Sequence, residues 1–369
     1  MKTKKKYLFL IGALAAILLH QIRCNFVSDA VIVNVSLPPF ETLSEYNFFN
    51  GTMRDLVPNK RILLFEPITP LFSDYAEKAR FVYIPEEESA KYHEADVFGF
   101  PVGTAFIKNF YYSHDFRDES KGRKIIETRL LVKREEGWDA LPYIWNDEQT
   151  EAFLEIAGGM ERVQWIDMKG NEMDLKTYTI PNKNQCKGCH VDDGKFKPIG
   201  PKARNLNFEI EYADGKMNQL EKWKQMGFLS DAPEAKNAPK MADWDNPESS
   251  SLHDRALAYL EINCGTCHSP TGPANTSGLH LTTYEKNPAN LGICKSSVAA
   301  GRGSGGFLYD IVPGKPDESI LVFRMESTDP GIMMPELGRH LVHQEGVELV
   351  REWIAELEGG CGKMKGKVQ

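Results

Sequence analysis

After its first twenty residues the sequence has no hydrophobic run long enough to cross a bilayer, so no membrane span is predicted there. It also lacks an excess of basic residues. The 44 Lys and Arg face 52 Asp and Glu, and the formal net charge of −8 argues against nucleic acid as a partner. With 41% hydrophobic and 26% charged residues the composition is that of a folded protein, and 369 residues allow two or three domains.

Cysteine is scarce, and four of the seven cysteines fall in two short motifs of the same spacing. These motifs are Cys186-Lys-Gly-Cys-His190 and Cys264-Gly-Thr-Cys-His268. C-x-x-C-H is the attachment sequence of c-type haem. The two thiols lie on one helical turn and add to the vinyl groups of the porphyrin, while the histidine faces the iron.

The sequence therefore predicts two covalently attached haem c groups with iron. The predicted attachment sites are Cys186, Cys189, Cys264 and Cys267. The predicted proximal iron ligands are His190 and His268. A redox cysteine pair or half of a zinc site is the alternative for each motif, but neither requires the trailing histidine that both copies carry.

The N-terminus has the pattern of an export signal. Four lysines between residues 2 and 6 precede the uncharged apolar run Tyr7–Leu19, which is short for a membrane span. We expect a signal peptide over residues 1–24, and a location that is periplasmic or exported and membrane-anchored. Cys24 raises the alternative of a lipoprotein, although the preceding Arg23 does not fit a lipobox, and an uncleaved anchor is a third. Membrane association is expected only through such an anchor.

Cys294 and Cys361 remain outside the motifs and the signal region. In an oxidising compartment, two such thiols in one domain are expected to form a disulfide. Two buried free thiols are the alternative.

Residues 40–180 are predicted to form an antiparallel β domain. Short runs rich in β-branched and aromatic residues are separated by turn sequences such as Phe100-Pro-Val-Gly103. The predicted strands are Arg61–Phe65, Phe81–Ile84, Thr104–Phe110, Ile125–Val132, Tyr143–Trp145, Val163–Ile166 and Thr177–Ile180. We expect their aromatic side chains to lie in the core.

The predicted class is α+β, with this β domain followed by α-helical, cytochrome c-like haem domains. Residues 181–245 form a first haem-binding segment without an amphipathic helix before it, and residues 232–248 look like a linker. In residues 249–369, Ser251-x-x-Asp254 resembles a capping box that opens a helix, the second motif follows, and an apolar stripe predicts a last helix over Glu345–Leu357. These are the parts of a class I cytochrome c domain.

A haem iron that only transfers electrons is usually six-coordinate, so each histidine needs a distal partner. For the second haem we predict Met334, which directly precedes Pro335, in preference to Met333. A thioether is a soft donor that raises the reduction potential. Both methionines could instead fill gaps in the core, and His340 and His343 are competing donors.

The first haem has no such clear partner. The candidates are His93, His114, Met217, Met226 and Met241. An open sixth position is the alternative. The Gly200-Pro201 pair resembles the loop whose proline carbonyl accepts the Nδ1 proton of the haem histidine, or it is a plain turn.

Several motifs together resemble a family of bacterial diheme c-type cytochromes. They are Tyr178-x-Ile-Pro-x-x-x-Gln-Cys-x-x-Cys-His190, Ile199-Gly-Pro-Lys-Ala-Arg-Asn-Leu206, Gly301-Arg-Gly-Ser-Gly-Gly306, Val312-Pro-Gly-Lys-Pro316 and Met334-Pro335. The resemblance covers nearly all of the chain after the signal and implies two haems and export. Phe100-Pro-x-Gly-Thr-x-x-x-Lys108 before the first motif is similar to cytochrome P460 and cytochrome c′-β, which implies a haem packed on an antiparallel sheet with an open distal face.

The expected function is single-electron transfer between periplasmic redox proteins, such as a dehydrogenase or a copper protein and a terminal acceptor. The alternative is an enzyme whose open first haem binds peroxide, nitric oxide or hydroxylamine. A third hypothesis makes the β domain a docking or sugar-binding module to which the haems are attached as a redox tail, for instance in a subunit of a quinoprotein dehydrogenase. We expect an electron-transfer protein rather than a catalyst, and no catalytic residue is predicted.

Overall fold

The computed structural model describes residues 30–362, so the predicted signal peptide and Cys24 lie outside the described residues. Helices hold 23% and strands 26% of the residues, and the largest sheet is antiparallel, which makes the class α+β. Six strands form that sheet in the order β1-β2-β4-β5-β6-β7. They are β1 Ile62–Leu64, β2 Glu77–Tyr83, β4 Ala105–Ser113, β5 Arg123–Arg134, β6 Gly137–Trp145 and β7 Ala152–Leu154.

The remaining strands form pairs beside the main sheet. β8 Gly159–Ile166 and β9 Glu172–Ile180 make a hairpin of their own, so these two predicted strands do not extend the main sheet. The short strands are β3 Ala90–Lys91, β10 Val191–Asp192, β11 Lys195–Phe196, β12 Glu209–Tyr212, β13 Gly215–Asn218 and β14 Leu229–Ser230. Because β9 ends at Ile180, the chain enters the first cysteine motif directly from this hairpin.

Side chains of the main sheet alternate between two apolar environments, as expected for a sheet covered on both sides. On one face a row of directly paired residues is buried in one core: Phe81, Ile107, Leu130 and Leu141. The adjacent row faces a second core: Val82, Phe106, Leu131 and Ala140. This second face, which we call the helix-side face, packs against Trp223.

Six α-helices are described. They are α1 Lys183–His190, α2 Ala203–Leu206, α3 Gln219–Gln225, α4 Leu252–Leu260, α5 Ile320–Glu326 and α6 Gln344–Glu356. Within residues 30–362 none of them is long and apolar enough to cross a membrane. Two of these helices were predicted from the sequence of residues 249–369. They are α4 and α6, and their bounds differ from the predicted ones by a few residues.

The helices α4 and α6 pack against each other around a common core. Ser251 caps α4 by accepting from the Asp254 backbone N–H at 3.1 Å. On α6, Val350 and Trp353 are buried against the Tyr259 and Leu260 side chains of α4. Gly346 lies directly against the Tyr259 ring, so a Cβ at this position would collide with it.

Residues 249–362, which contain α4, α5 and α6, are called the helical part below. Two connections hold it in place. Cys294 and Cys361 form a disulfide across 67 residues of sequence. The proline-containing stretch 232–248, predicted as a linker, lies against the rest of the protein: Met241 is buried, and its N–H donates to the Arg204 carbonyl at 2.9 Å. The helical part is thereby attached to the segment around α2.

Candidate haem-binding site

A cavity of about 870 Å³ lies between the helix-side face of the main sheet and the helical part. Both cysteine motifs line it. From the first motif these are Cys186, Cys189 and His190, and from the second Cys264, Cys267 and His268. Its volume is near the upper end of the range of about 300–1,000 Å³ that small-molecule and cofactor sites occupy.

The first motif lies on α1, which begins with a capping box. The Asn182 side chain accepts from the Gln185 N–H at 2.8 Å, and the Gln185 side chain accepts from the Asn182 N–H at 2.9 Å. The helix continues to His190, so Cys186, Cys189 and His190 stand at i, i+3 and i+4 on one side of it. The sequence around the motif is therefore sufficient to explain why these three side chains lie on one side of the helix.

The His190 ring is held by the hairpin that follows α1. Its Nδ1 lies 2.8 Å from the Lys197 carbonyl oxygen, and the Phe196 ring stacks on it at 5.3 Å. Because a carbonyl can only accept, Nδ1 carries the proton and Nε2 keeps its lone pair. Burial lowers the pKa of His190 to about 4, so the ring is neutral, as a metal ligand must be. The partner is Lys197 rather than Pro201, the residue considered from sequence.

The second motif follows α4 through a wider π-type turn, Glu261–Gly265, which contains Cys264. The His268 Nδ1 lies 3.0 Å from the Ser277 hydroxyl oxygen, and that hydroxyl donates to the Ala274 carbonyl at 2.7 Å. The single hydroxyl proton is thus used, so Ser277 accepts from Nδ1 and leaves the His268 Nε2 lone pair free. Burial lowers the pKa of His268 to about 4.

The two motifs are in direct contact. The Cys267 Sγ lies 3.8 Å from the Gly188 carbonyl oxygen, although the two residues are 79 positions apart. The proximity of the Cys189 and Cys267 thiols raises the pKa of Cys189 and lowers that of Cys267. Further along, the Asp193 N–H donates to the Thr271 carbonyl at 3.1 Å. Two cofactors attached here would be neighbours.

Of the two candidate methionines, only Met334 lines the cavity, while Met333 is buried and does not line it. The Met334 backbone is fixed on both sides: its N–H donates to the Arg324 carbonyl at 3.0 Å, and its carbonyl accepts from Arg339 Nη2 at 2.8 Å. Sequence analysis missed Arg339, which is 4% exposed and donates hydrogen bonds to several backbone carbonyls of this loop.

The competing histidines also line the cavity, but each is engaged elsewhere. His340 places Nδ1 3.2 Å from Asp74 and Nε2 3.2 Å from the Thr179 hydroxyl. His343 places Nδ1 3.0 Å from the Tyr259 hydroxyl and stacks on Phe72. Met334 has no comparable side-chain partner among the described residues, so of these three candidate donors it has the fewest competing contacts.

None of the donors considered for the first haem lines the cavity. They are His93, His114, Met217, Met226 and Met241. His93 and His114 are exposed, and Met241 belongs to a separate core around Ile262. Instead, the strands near Cys186 present three cationic side chains that sequence analysis missed as site residues: Arg80, Lys108 and Arg129.

The residues present fit c-type haem better than a zinc site. Structural zinc needs about four protein ligands, and within residues 30–362 no group of three or more Cys, His, Asp or Glu side chains is arranged to hold an ion. A haem iron needs only one histidine and one further donor. Each motif supplies two thiols and one oriented, neutral histidine beside a large cavity.

Comparison with family models, with curated proteins and with solved structures gives no match. Inference about function therefore rests on the geometry of this cavity.

Proposed function

We propose that the chain is an exported diheme c-type cytochrome that transfers single electrons between periplasmic redox proteins. One observation carries the proposal: two C-x-x-C-H motifs line the same cavity, and in each the histidine donates its Nδ1 proton to a fixed oxygen, the Lys197 carbonyl or the Ser277 hydroxyl. A redox cysteine pair or a structural turn has no need of a neutral histidine oriented in this way.

The chain has residues for each attachment. Cys186 and Cys189 would hold one haem, with His190 as its proximal ligand. Cys264 and Cys267 would hold the other, with His268 and Met334 as its iron ligands. Bound haem supplies an iron that gains and loses one electron. The Lys197 carbonyl and the Ser277 hydroxyl orient the two histidines, and apolar side chains of the cavity wall would limit the access of water to a bound haem.

Electron transfer is supported by the closeness of the two motifs. Gly188 and Cys267 touch, and the Asp193–Thr271 backbone bond ties the two loops together. Two haems held at these motifs would therefore be neighbours, as electron exchange between them requires. With a net charge of −8, the protein is suited to partners with a basic docking surface, such as a dehydrogenase or a copper protein.

The first experiment is a haem count on the purified exported protein by the pyridine haemochrome method. We expect two haems per chain, one in Cys186→Ser/Cys189→Ser and one in Cys264→Ser/Cys267→Ser. Cys294→Ser/Cys361→Ser is the matched control and should keep both. Wild-type protein without covalent haem would refute the proposal.

A second candidate function is catalysis at an open first haem. The observation that favours it is that none of the five expected donors for His190's iron lines the cavity. Optical and low-temperature EPR spectra with and without carbon monoxide separate the two functions. Two low-spin haems without carbon monoxide binding support the electron carrier. One high-spin haem that binds carbon monoxide, at half the haem content, supports an enzyme for a small ligand such as peroxide, nitric oxide or hydroxylamine.

A further inference from the structure

Three cationic residues stand in one row across the main sheet. In the strand register, Arg80 of β2 is directly opposite Lys108 of β4, which is directly opposite Arg129 of β5. Directly paired residues point to the same face, here the helix-side face, and all three line the cavity. Like charges directly opposite each other are unfavourable in a sheet, so this row needs a compensating interaction.

Protein carboxylates supply only part of that compensation. Glu127 accepts from Arg129 at 2.7 and 2.5 Å, and its Oε1 also accepts from the Tyr178 hydroxyl at 2.8 Å. Both carboxylate oxygens of Glu127 thus already accept hydrogen bonds, and Glu127 itself does not line the cavity. Arg129 is neutralised in this way, whereas Arg80 and Lys108 are not.

Arg80 is a buried guanidinium without a partner. The residue is only 9% exposed, and its side chain makes no hydrogen bond or ion pair with any part of the chain that the structure describes. Glu66 acts on it only through its charge. Five N–H donors in a cavity wall are costly unless they are bonded, and a guanidinium fork matches the two oxygens of a carboxylate.

Lys108 has only an aromatic contact. Its Nζ lies 4.6 Å from the centre of the Phe110 ring, with Lys78 and Arg129 around the same ring. Burial, together with the charges of Arg80 and Lys78, holds the pKa of Lys108 well below its usual range. An anion between Arg80 and Lys108 removes this repulsion and favours the charged amine.

We propose that Arg80 and Lys108 form an anion-binding site in the cavity wall, which takes a carboxylate or a small oxyanion. Arg129 completes the row as a cation already paired with Glu127. The site lies near the first motif, since Lys108 and Arg129 act electrostatically on both Cys186 and His190. Its occupant has two sources: a propionate group of a haem attached at Cys186 and Cys189, or a free oxyanion. The propionate case rests on the proposed function, whereas the free-anion case does not.

The test uses the full-length purified protein as wild type and as Arg80→Met and Lys108→Met, which remove charge and keep an apolar stem. Lys133→Met is the matched control, because Lys133 is a cation of β5 outside the cavity. Sodium nitrite and sodium propionate are titrated at constant ionic strength by calorimetry. The reduction potentials of the haems are followed by spectroelectrochemistry, circular dichroism checks folding, and haem content is counted separately.

A free oxyanion is the occupant if wild type binds nitrite or propionate saturably and both cavity variants weaken binding by about tenfold or more, with Lys133→Met unchanged. A haem carboxylate is the occupant if wild type binds neither anion, but one haem has a lower reduction potential in both cavity variants and not in the control. Folded cavity variants that match the control in both measurements would overturn the anion site. Because calorimetry needs no haem, a protein without haem that binds an anion through Arg80 and Lys108 would refute the proposed function but not this site.

Discussion

Arg339 is the residue whose replacement should most destabilise the loop that contains Met334. Its Nη2 contacts the carbonyl oxygens of four residues at 2.8–3.2 Å: Arg324, Met325, Ser327 and Met334. Its Nη1 contacts the Leu341 carbonyl at 3.1 Å. Two Nη2 hydrogens serve four carbonyls, so these bonds are shared and the guanidinium supplies about three full hydrogen bonds.

The expected cost of Arg339→Met follows from this count. Hydrogen bonds to charged groups contribute about 1.5–3 kcal/mol each, and sharing places these at the lower end, which gives about 4.5 kcal/mol in the free energy of unfolding. Arg339→Lys keeps the charge but offers one ammonium in place of a planar fork, so we expect a loss of about 2 kcal/mol. Both values are large against a typical total of about 5–15 kcal/mol.

The assay is urea unfolding at neutral pH, followed by tryptophan fluorescence. Arg351→Met is the matched control, because Arg351 pairs at the surface with Glu326 and Asp317 and its side chain is 31% exposed. Its loss should cost less than about 1 kcal/mol. If Arg339→Met also lowered the free energy of unfolding by less than about 1 kcal/mol, Arg339 would not be the residue that holds this loop in place.

Three further predictions follow from the cavity and its surroundings. Under the proposed function, Met334→Ala should make the second haem bind carbon monoxide in the reduced state, whereas Met333→Ala should not, because only Met334 of the two lines the cavity; equal binding by both variants would contradict this. Cys294→Ser/Cys361→Ser should lower the free energy of unfolding by about 4 kcal/mol in urea, since the disulfide closes a long loop, and an unchanged midpoint would exclude that contribution. Without haem, burial lowers the pKa values of His190, His268 and His343 to about 4, below that of the unfolded chain, so stability should be full above about pH 6.5 and fall towards pH 4. Urea midpoints across this range check the sign, and a midpoint that rises on acidification would refute it.

Much of the local structure could be predicted because short sequence patterns determine it. The run Ile125–Val132 lies within β5, and the stripe predicted over Glu345–Leu357 lies almost entirely within α6, because side-chain periodicity is set by neighbouring residues. The cap at Ser251 was likewise local. The separate position of the β8–β9 hairpin could not be predicted, since strand patterns do not say which strands pair.

The composition of the site depended on contacts between distant residues, which no pattern encodes. The touching of Gly188 and Cys267 is one example. The row of Arg80, Lys108 and Arg129 depends on the register of three strands, where a shift of one residue would place these side chains on the other face. The choice between the Lys197 and Pro201 carbonyls depended on how the hairpin after α1 folds back onto His190.

The placement of both cysteine motifs in the wall of one cavity constrains how the mature protein can be made. Burial raises the pKa of the Cys264 thiol to about 12, so in the folded chain it is a poor nucleophile. Under the proposed function, we therefore expect thioether formation at Cys264 to precede the packing of this cysteine against the core around α4 and α6. Cofactor attachment would then have to be faster than folding. Export as an unfolded chain would allow attachment to occur first.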